Sequence, residues 1–323
     1  MTLLVWLTSK ETECWNLSYN QEIRLKKALP QWKIIVVRDA DAFVSALPRA
    51  DAIASWLFRQ EWFALASSLQ LLKTPAAGLD YFEISPPGHI IFEGSRFHGL
   101  LMAETAIGYL LAHARGICRA ERSMSKESAQ EKSWPRWELA GQMRTLKGSR
   151  LTILGFGAIG SEAGRRASLL GCKVTGIKQR PISHLPVWFG PEDRLFATEK
   201  EPLASLFLRI LPRTDHLLIV LPGDRKTDAI IGKKELSLLP DNAGIYNIGR
   251  GNAIEESALI DHLAKHPAAE AFLDVFEREP LPAASPLRAC NNAYLMPHLS
   301  AAAPEYLDLF IDELAARCLA LVY

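Results

Sequence analysis

Two spacings of apolar residues alternate along this chain. Short continuous runs suit buried strands, and apolar residues at every third or fourth position suit helices. Leu3 to Leu7, Lys33 to Val37, Ala52 to Trp56 and Gln70 to Lys73 are runs of the first kind. Asn16 to Leu29 has helical spacing and stops before Pro30, and Asp39 or Asp41 can cap a short helix. A tryptophan-rich helix is expected between the third and fourth strands. Strand and helix in alternation predict a parallel sheet. His98 to Arg122 follows as one long helical pattern, with Met102, Ile107, Leu110, Leu111 and Ile117 on its apolar face. Its length suits a bridge between two domains. Ser123 to Trp137 is polar and aperiodic and reads as an extended arm or loop. Trp134 and Trp137 within it suit a subunit interface if exposed; the alternative is that they pack on their own chain.

The second half repeats the alternation. Strands are expected at Leu151 to Leu154, Cys172 to Ile177, His216 to Leu221, Gly244 to Ile248 and Glu270 to Val275. Helices are expected up to Leu170, then at Leu203 to Ile210, Lys233 to Leu239, Glu255 to Lys265 and Pro304 to Val322. Pro181 to Pro202, punctuated by Pro186 and Pro191, reads as loop. The first of these strands runs straight into Gly155-Phe156-Gly157-Ala158-Ile159-Gly160, and a helix and a second strand follow. That is the context a dinucleotide fingerprint requires. Gly155 permits the tight turn, Gly157 lets a pyrophosphate approach the backbone, and Gly160 lets the helix lie close to the strand. The helix N-terminus offers unpaired N–H groups to the phosphates.

The end of the next strand changes the expected cofactor. NAD-binding folds place a carboxylate there for the ribose 2′-hydroxyl. This chain has Lys178, Gln179 and Arg180. Cations suit a 2′-phosphate, which Arg can grip with two N–H groups. NADP(H) is therefore the preferred cofactor, with NAD(H) possible; the alternative is a solvated basic strand end.

Composition narrows the class. The 323 residues allow two domains, and 49% hydrophobic with 23% charged residues is globular. A net charge of +1 makes no electrostatic case for nucleic acid or an anionic membrane. No apolar run approaches the ~18 residues of a membrane span. Cys14, Cys118, Cys172, Cys290 and Cys318 are scattered and form no CxxC pair, so neither a disulfide framework nor a metal site is expected. That pattern fits the cytoplasm. The N-terminal apolar run lacks a basic lead and reads as a strand rather than a signal peptide.

Three polar residues stand at strand ends in the second half. Arg250 lies between Gly249 and Gly251 and presents a guanidinium suited to a carboxylate or a polarised carbonyl. His298 follows Pro297 and is the natural acid/base near neutral pH. Glu279 could accept a hydrogen bond from that imidazole. Surface ion pairs and a satisfied loop histidine are the plainer alternatives. In the first half, residues 74–80 form a small-residue loop after a strand, which can turn backbone N–H groups toward an anion or can be an ordinary turn.

LGFGAIG from Leu154, LPRTDHLLIVLP from Leu211, IYNIGRGNAIEESALIDHL from Ile245, AFLDVFEREPL from Ala271 and MPHLSA from Met296 occur in that order. With them the chain resembles the D-isomer-specific 2-hydroxyacid dehydrogenase family over nearly its whole length. The AAGLDYF loop from Ala76, the EGSRFHG segment from Glu93 and the basic KQR resemble its glyoxylate/hydroxypyruvate reductase branch. The resemblance implies two Rossmann-like or flavodoxin-like doubly wound parallel-sheet α/β domains with an active-site cleft between them. Residues 1–98 and 299–323 would form the substrate domain, and residues 99–298 the NAD(P)-binding domain. The implied activity is NAD(P)H-dependent reduction of a small 2-oxo acid to the D-2-hydroxy acid by a homodimer.

Residue by residue, the resemblance makes Arg250 the ligand of the substrate carboxylate and carbonyl, His298 the proton donor and Glu279 its partner. It places Asp274 and Ile248 near the nicotinamide and Leu221 and Pro222 along the cofactor cleft, and it counts Thr227, Gly249 and Ser300 among the cofactor-binding residues. It puts the Ala77 and Gly78 amides on the substrate carboxylate. Two departures stand out: Lys178 replaces the acidic residue, and Gly223-Asp224-Arg225 replaces a threonine-containing run. A cofactor-sensing, protein-binding module of corepressor type and a dehydrogenase of a larger or phosphorylated hydroxy acid are the alternative functions.

Overall fold

The computed structural model describes residues 1–127, 134 and 136–322. The chain divides into two compact units, Met1–His98 with Ala301–Tyr323, and Gly99–Ser300.

The first unit contains a five-stranded parallel sheet of β1 (Thr2–Trp6), β2 (Lys33–Val36), β3 (Ala52–Ser55), β4 (Leu71–Lys73) and β5 (Ile91–Glu93). The order β2-β1-β3-β4-β5 is the flavodoxin-like one. Parallel neighbours need long crossovers. Two of these are capped helices: Ser18 forms a capping box with Gln21 at the start of α1 (Tyr19–Ala28), and Asp39 accepts from Ala42 N at 2.8 Å to start α2 (Ala40–Ala46). The tryptophan-rich stretch is a 3-10 turn, Gln60–Ala64, rather than a helix; of its residues only Trp62 is buried, against Phe43 and Phe58. β5 is an edge strand of three residues, paired to β4 alone, and was not expected from the sequence.

The second unit contains seven parallel strands: β6 (Arg150–Leu154), β7 (Lys173–Lys178), β8 (Arg194–Ala197), β9 (His216–Ile219), β10 (Gly244–Asn247), β11 (Glu270–Leu273) and β12 (Ala293–Leu295). Their order, β12-β11-β10-β9-β6-β7-β8, is the dinucleotide-binding order with one added edge strand. Every residue of β9, β10 and β11 is buried, as a central parallel sheet covered on both faces demands. Leu154, Ile177, Leu217, Ile219, Ile245 and Leu273 lead one core, which includes Leu206 and Phe207 of a helix (Leu203–Ile210) and Leu259 and Leu263 of another (Glu256–Lys265).

Three further expectations are corrected. The long pattern from His98 breaks into α3 (His98–Ala114) and α4 (Ile117–Glu127), because Gly116 sits at φ 60 and ends the first helix. The expected arm from Ser123 is in part helical: α4 runs on to Glu127, and a short helix, Arg136–Gln142, takes up Trp137. Residues 128–133 and 135 of that stretch lie outside the described residues, while Trp134 and Trp137 are 68% and 93% exposed. Third, the proline-rich loop contains β8, a four-residue strand at the sheet edge whose residues are exposed or only partly buried. Among the described residues no helix is long and apolar enough to cross a membrane.

Candidate active site

In the second unit the strand order reverses between β6 and β9, and ligands of open α/β sheets bind outside the carboxyl ends at such a switch point. Gly155 leaves β6 at φ 95, and a Cβ there would fall 2.1 Å from the Val220 carbonyl oxygen at the end of β9. The two backbones therefore touch where the order reverses. Gly155 and Phe156 donate their N–H groups to Ile177 O, at 2.9 and 3.2 Å. Phe156 turns its ring inward, into the space left by the missing side chain of Gly176 and against Trp188 and Phe189. Its side chain is core, and the anion-binding groups begin after it. Gly157 is the cap of α6 (Ala158–Leu169), and the cap makes no side-chain hydrogen bond. The first N–H groups of that helix, from Ala158, Ile159 and Gly160, have no acceptor within it. Gly157 and Ala158 are exposed, and a Cβ on Gly157 would meet nothing within 4 Å. An open approach to a helix N-terminus at the switch point fits a dinucleotide pyrophosphate.

Lys178 ends β7, and its carbonyl and that of Gln179 accept from Thr198 and Glu199. Arg180 is 82% exposed, with its Nε 4.0 Å from a Glu199 oxygen. A carboxylate thus does stand near this strand end, supplied by the residues that follow β8.

Arg250 follows β10, and its Nη1 lies 3.0 Å from the Gly249 carbonyl oxygen. Asn247, buried at the strand end, binds this turn from beneath. Its amide donates to Arg250 O at 2.9 Å, and its Oδ1 accepts from Gly249 N at 3.1 Å. The sequence reading passed over Asn247; the signal was a polar side chain in an otherwise apolar strand. A Cβ on Gly251 would lie 1.9 Å from Phe276 C, so the turn after β10 rests directly on the loop after β11. That loop carries Glu279, whose Oε1 accepts from Phe276 N at 3.0 Å and whose Oε2 lies 2.8 Å from His298 Nδ1.

His298 is half-exposed and has a positive φ of 54, uncommon for a residue with a side chain. Asp274 imposes that turn. Its carbonyl accepts from His298 N at 2.9 Å, and its fully buried carboxylate accepts from Leu299 N at 2.7 Å and Ser300 N at 3.0 Å. The hydrogen bond that the imidazole donates to Glu279 raises its pKa; burial and Arg250 pull it down, and the Glu279 and Asp274 charges push it up. Burial would raise the Glu279 carboxyl, but His298, Phe276 N and Arg250 outweigh it and hold the group below its ordinary value. The electrostatics thus bring Arg250, Glu279 and His298 into one site.

Other expected residues sit as follows. Ile248 is buried in the strand core, and Leu221 packs on the apolar cluster beneath the sheet end. The Pro222 carbonyl accepts from the Thr227 hydroxyl at 2.7 Å, as does that of Asp224, so Thr227 holds its own turn together. Ser300 is buried, with its carbonyl accepting from Thr105. In the first unit, Ala76 O accepts from Ser95 N at 2.8 Å, and a Cβ on Gly94 would fall 2.6 Å from Ala77 O. In a trans peptide the following N–H points opposite the C=O. The Ala77 and Gly78 N–H groups are therefore directed away from the Gly94–Ser95 segment.

The openness at Gly157 gives a separable test. Gly157→Val should leave the melting temperature within about 2 °C of wild type, since surface substitutions without a packing conflict cost little. It should weaken dinucleotide binding about tenfold or more by blocking close approach to the backbone. Fluorescence titration and thermal melts check this, and unaltered cofactor affinity in a folded Gly157→Val would refute the phosphate site.

Comparison with known proteins agrees with this geometry. The profile for the D-isomer specific 2-hydroxyacid dehydrogenase, NAD binding domain, matches residues 107–300. Glyoxylate reductase from Korarchaeum cryptofilum is 28% identical over 302 residues, 91% of this chain and 84% of that protein. D-3-phosphoglycerate dehydrogenase from Methanocaldococcus jannaschii is 28% identical over 243 residues, 74% of this chain but 43% of the relative, which is therefore much longer than the matched region. A D-isomer specific 2-hydroxyacid dehydrogenase from Xanthobacter autotrophicus Py2, solved with NADPH and MES, superposes with a TM-score of 0.78 at 25% identity, covering 98% of this chain and 95% of that one. A glycine-lined switch point, an imidazole paired to a carboxylate beside an arginine, and a profile match spanning more than half the chain lead to one assignment: the protein belongs to the D-isomer specific 2-hydroxyacid dehydrogenases, oxidoreductases that work with a nicotinamide dinucleotide.

Proposed function

We propose that this protein reduces a small 2-oxo acid, glyoxylate or hydroxypyruvate in kind, to the D-2-hydroxy acid at the expense of NADPH. The observation that carries the reading is the 2.8 Å contact between His298 Nδ1 and Glu279. It leaves Nε2 to carry a proton, and the imidazole pKa is raised. The bound dinucleotide supplies the hydride to the keto carbon. Arg250 binds the substrate carboxylate and stabilises the charge that develops on the keto oxygen. The Ala77 and Gly78 amides, in this reading, are further carboxylate ligands. Protonated His298 gives its Nε2 proton to the nascent alkoxide. Glu279 fixes the tautomer and favours the charged ring. Asp274 acts by holding the turn from which the imidazole projects.

The relative named D-3-phosphoglycerate dehydrogenase makes a phosphorylated substrate the second reading. Residues 74–88 carry Asp80 and Glu83 and no lysine or arginine, which argues against a phosphate next to that loop. Rates of NADPH-dependent reduction of glyoxylate, hydroxypyruvate and 3-phosphohydroxypyruvate decide between the two readings. A preference for the phosphorylated acid would reverse the proposal.

His298→Ala should lower kcat for reduction by about a hundredfold or more, the usual scale of a lost general acid, while cofactor affinity stays near wild type. Arg250→Ala should raise KM for the oxo acid, whose carboxylate it holds in ground and transition states alike, and should also reduce kcat, because it stabilises the charge that develops on the keto oxygen only in the transition state. Near-normal turnover in His298→Ala would remove the mechanism.

The pH dependence has a definite sign. His298 is raised above its ordinary value, and reduction uses its protonated form. kcat/KM for reduction should therefore be flat below that raised pKa and fall above it, with oxidation of the hydroxy acid rising over the same window. Glu279→Gln should move the fall to lower pH, since the largest cause of the raised pKa is lost. A reduction profile that rises through neutrality contradicts the assignment.

Cofactor preference rests on Lys178 and Arg180. One charge-assisted contact contributes about 1.5–3 kcal/mol, and solvent exposure of the kind seen at Arg180 cuts this down. The result is a preference for NADPH of about tenfold. Arg180→Ala should raise KM for NADPH and spare NADH, and Lys178→Asp should shift preference toward NADH. Equal kcat/KM with both dinucleotides in the wild type would leave this strand end without a role in selection.

A further inference from the structure

The turn after β4 has no charged anchor of its own. Residues 74–78 are Thr, Pro, Ala, Ala and Gly; within the turn only Thr74 Oγ1 holds a peptide, accepting from Ala76 N at a long 3.4 Å, and neighbours supply the shorter contacts that direct the others. One neighbour is the Gly94–Ser95 segment. Ser95 N binds Ala76 O, and Ser95 Oγ donates to Thr74 O at 2.9 Å. The other comes from the far end of the chain. The helix Tyr306–Val322 begins at a tyrosine whose hydroxyl donates to Pro75 O at 3.2 Å, across 231 residues of sequence. The same hydroxyl lies 2.8 Å from His98 Nε2, and His98 Nδ1 lies 3.3 Å from Ser95 O. The path Ser95–His98–Tyr306–Pro75 thus joins the two neighbours through groups that are all buried.

We propose that Tyr306, with His98 behind it, is a positioning residue that sets the orientation of the Pro75–Gly78 peptide groups and thereby the affinity for the 2-oxo acid carboxylate. The proposal rests on the reading of the Ala77 and Gly78 amides as carboxylate ligands. Proline removes one N–H from this turn, so its carbonyl is the handle that remains at position 75. A hydroxyl held on that carbonyl fixes the plane of the peptide leading into Ala76. Ser95 fixes the next plane through Ala76 O. With the plane into Ala76 set, the next one, which carries the Ala77 N–H, starts from a fixed direction, and the Gly94 backbone packed against Ala77 O keeps the Gly78 N–H in line with it. The tyrosine ring is held independently, 4.9 Å from Phe97 edge-on and 6.0 and 6.3 Å from Trp56 and Trp15. Deleting the hydroxyl therefore removes the pin and leaves the packing.

Tyr306→Phe is the test. KM for glyoxylate should rise about tenfold, the scale of one buried hydrogen bond. kcat should change by less than about twofold, because bound substrate and transition state share the carboxylate contact. NADPH affinity, by fluorescence titration, should be unaltered. Amide hydrogen exchange over residues 74–80, measured without substrate, should be faster than in wild type. An unchanged KM in an enzyme that turns over overturns the proposal, and so does a KM rise matched by an equal loss of NADPH affinity, which would mark general loosening. Wild-type protein that reduces none of the 2-oxo acids tried would instead refute the reading of the site. In that event the exchange measurement still decides the pin, and unchanged exchange at residues 74–80 in Tyr306→Phe overturns it.

Discussion

The second unit depends on how closely backbone can approach backbone at the carboxyl ends of its central strands. Gly155 lies against the Val220 carbonyl, and Gly251 lies against Phe276. At either place a single methyl group would sit inside another atom's radius. With Gly249, where a Cβ would lie 2.7 Å from Leu221 N, bridging the two, these contacts lock the loops after β6, β9, β10 and β11 into one continuous rim. The glycine loop, Arg250 and Glu279 all stand on that rim, so their spacing is a property of main chain rather than of flexible side chains. A site built this way is preorganised, and preorganisation is what makes charge stabilisation effective in a reacting pocket.

On that rim the electrostatics are a contest whose outcome is decided by geometry. Burial favours neutral forms of both His298 and Glu279. Their mutual hydrogen bond at 2.8 Å favours the charged forms, and the imidazole ends up raised while the carboxyl ends up lowered. Arg250 helps Glu279 ionise and opposes the charge on His298. Asp274, fully buried, offsets that opposition and carries the unusual backbone of residue 298 through two N–H bonds. The carboxylate has a positional task and an electrostatic one, and the two cannot be separated by deleting it.

The first unit solves its problem with a buried charge. Lys73 is almost wholly enclosed, and its Nζ meets Glu313 at 2.8 Å and Glu93 at 3.3 Å. Glu313 also accepts from Arg96 N and Phe97 N, and Arg317 balances Glu93. An isolated buried ammonium would be strongly unfavourable, so the lysine ties β4, β5 and the C-terminal helix to one arrangement. That arrangement also brings Tyr306 to Pro75.

Local pattern was sufficient wherever function and fold are written in neighbouring residues. Leu203 to Ile210 is helical to the residue, the strand–glycine loop–helix–strand unit from Arg150 to Lys178 stands as read, and Arg250, Glu279 and His298 were identifiable from residue type, flanking glycine and proline, and family resemblance. Edge strands β5, β8 and β12 escaped because each has only three or four residues, too few to show a period, and the break at Gly116 escaped because helical periodicity persists across it. The partnerships came only with the tertiary structure. Lys73 and Glu313 are 240 residues apart, Tyr306 and Pro75 are 231, and His113 and Glu270, a second buried pair, are 157. Hydrogen bonds and ion pairs depend on distance in space, which periodicity does not encode. The sequence by itself determined the candidates for binding a dinucleotide and moving a proton, because these follow from residue type and flanking glycine or proline; only the folded chain decided that Asp274 holds the turn carrying His298, that Asn247 holds Arg250, and which way the peptides after Pro75 point.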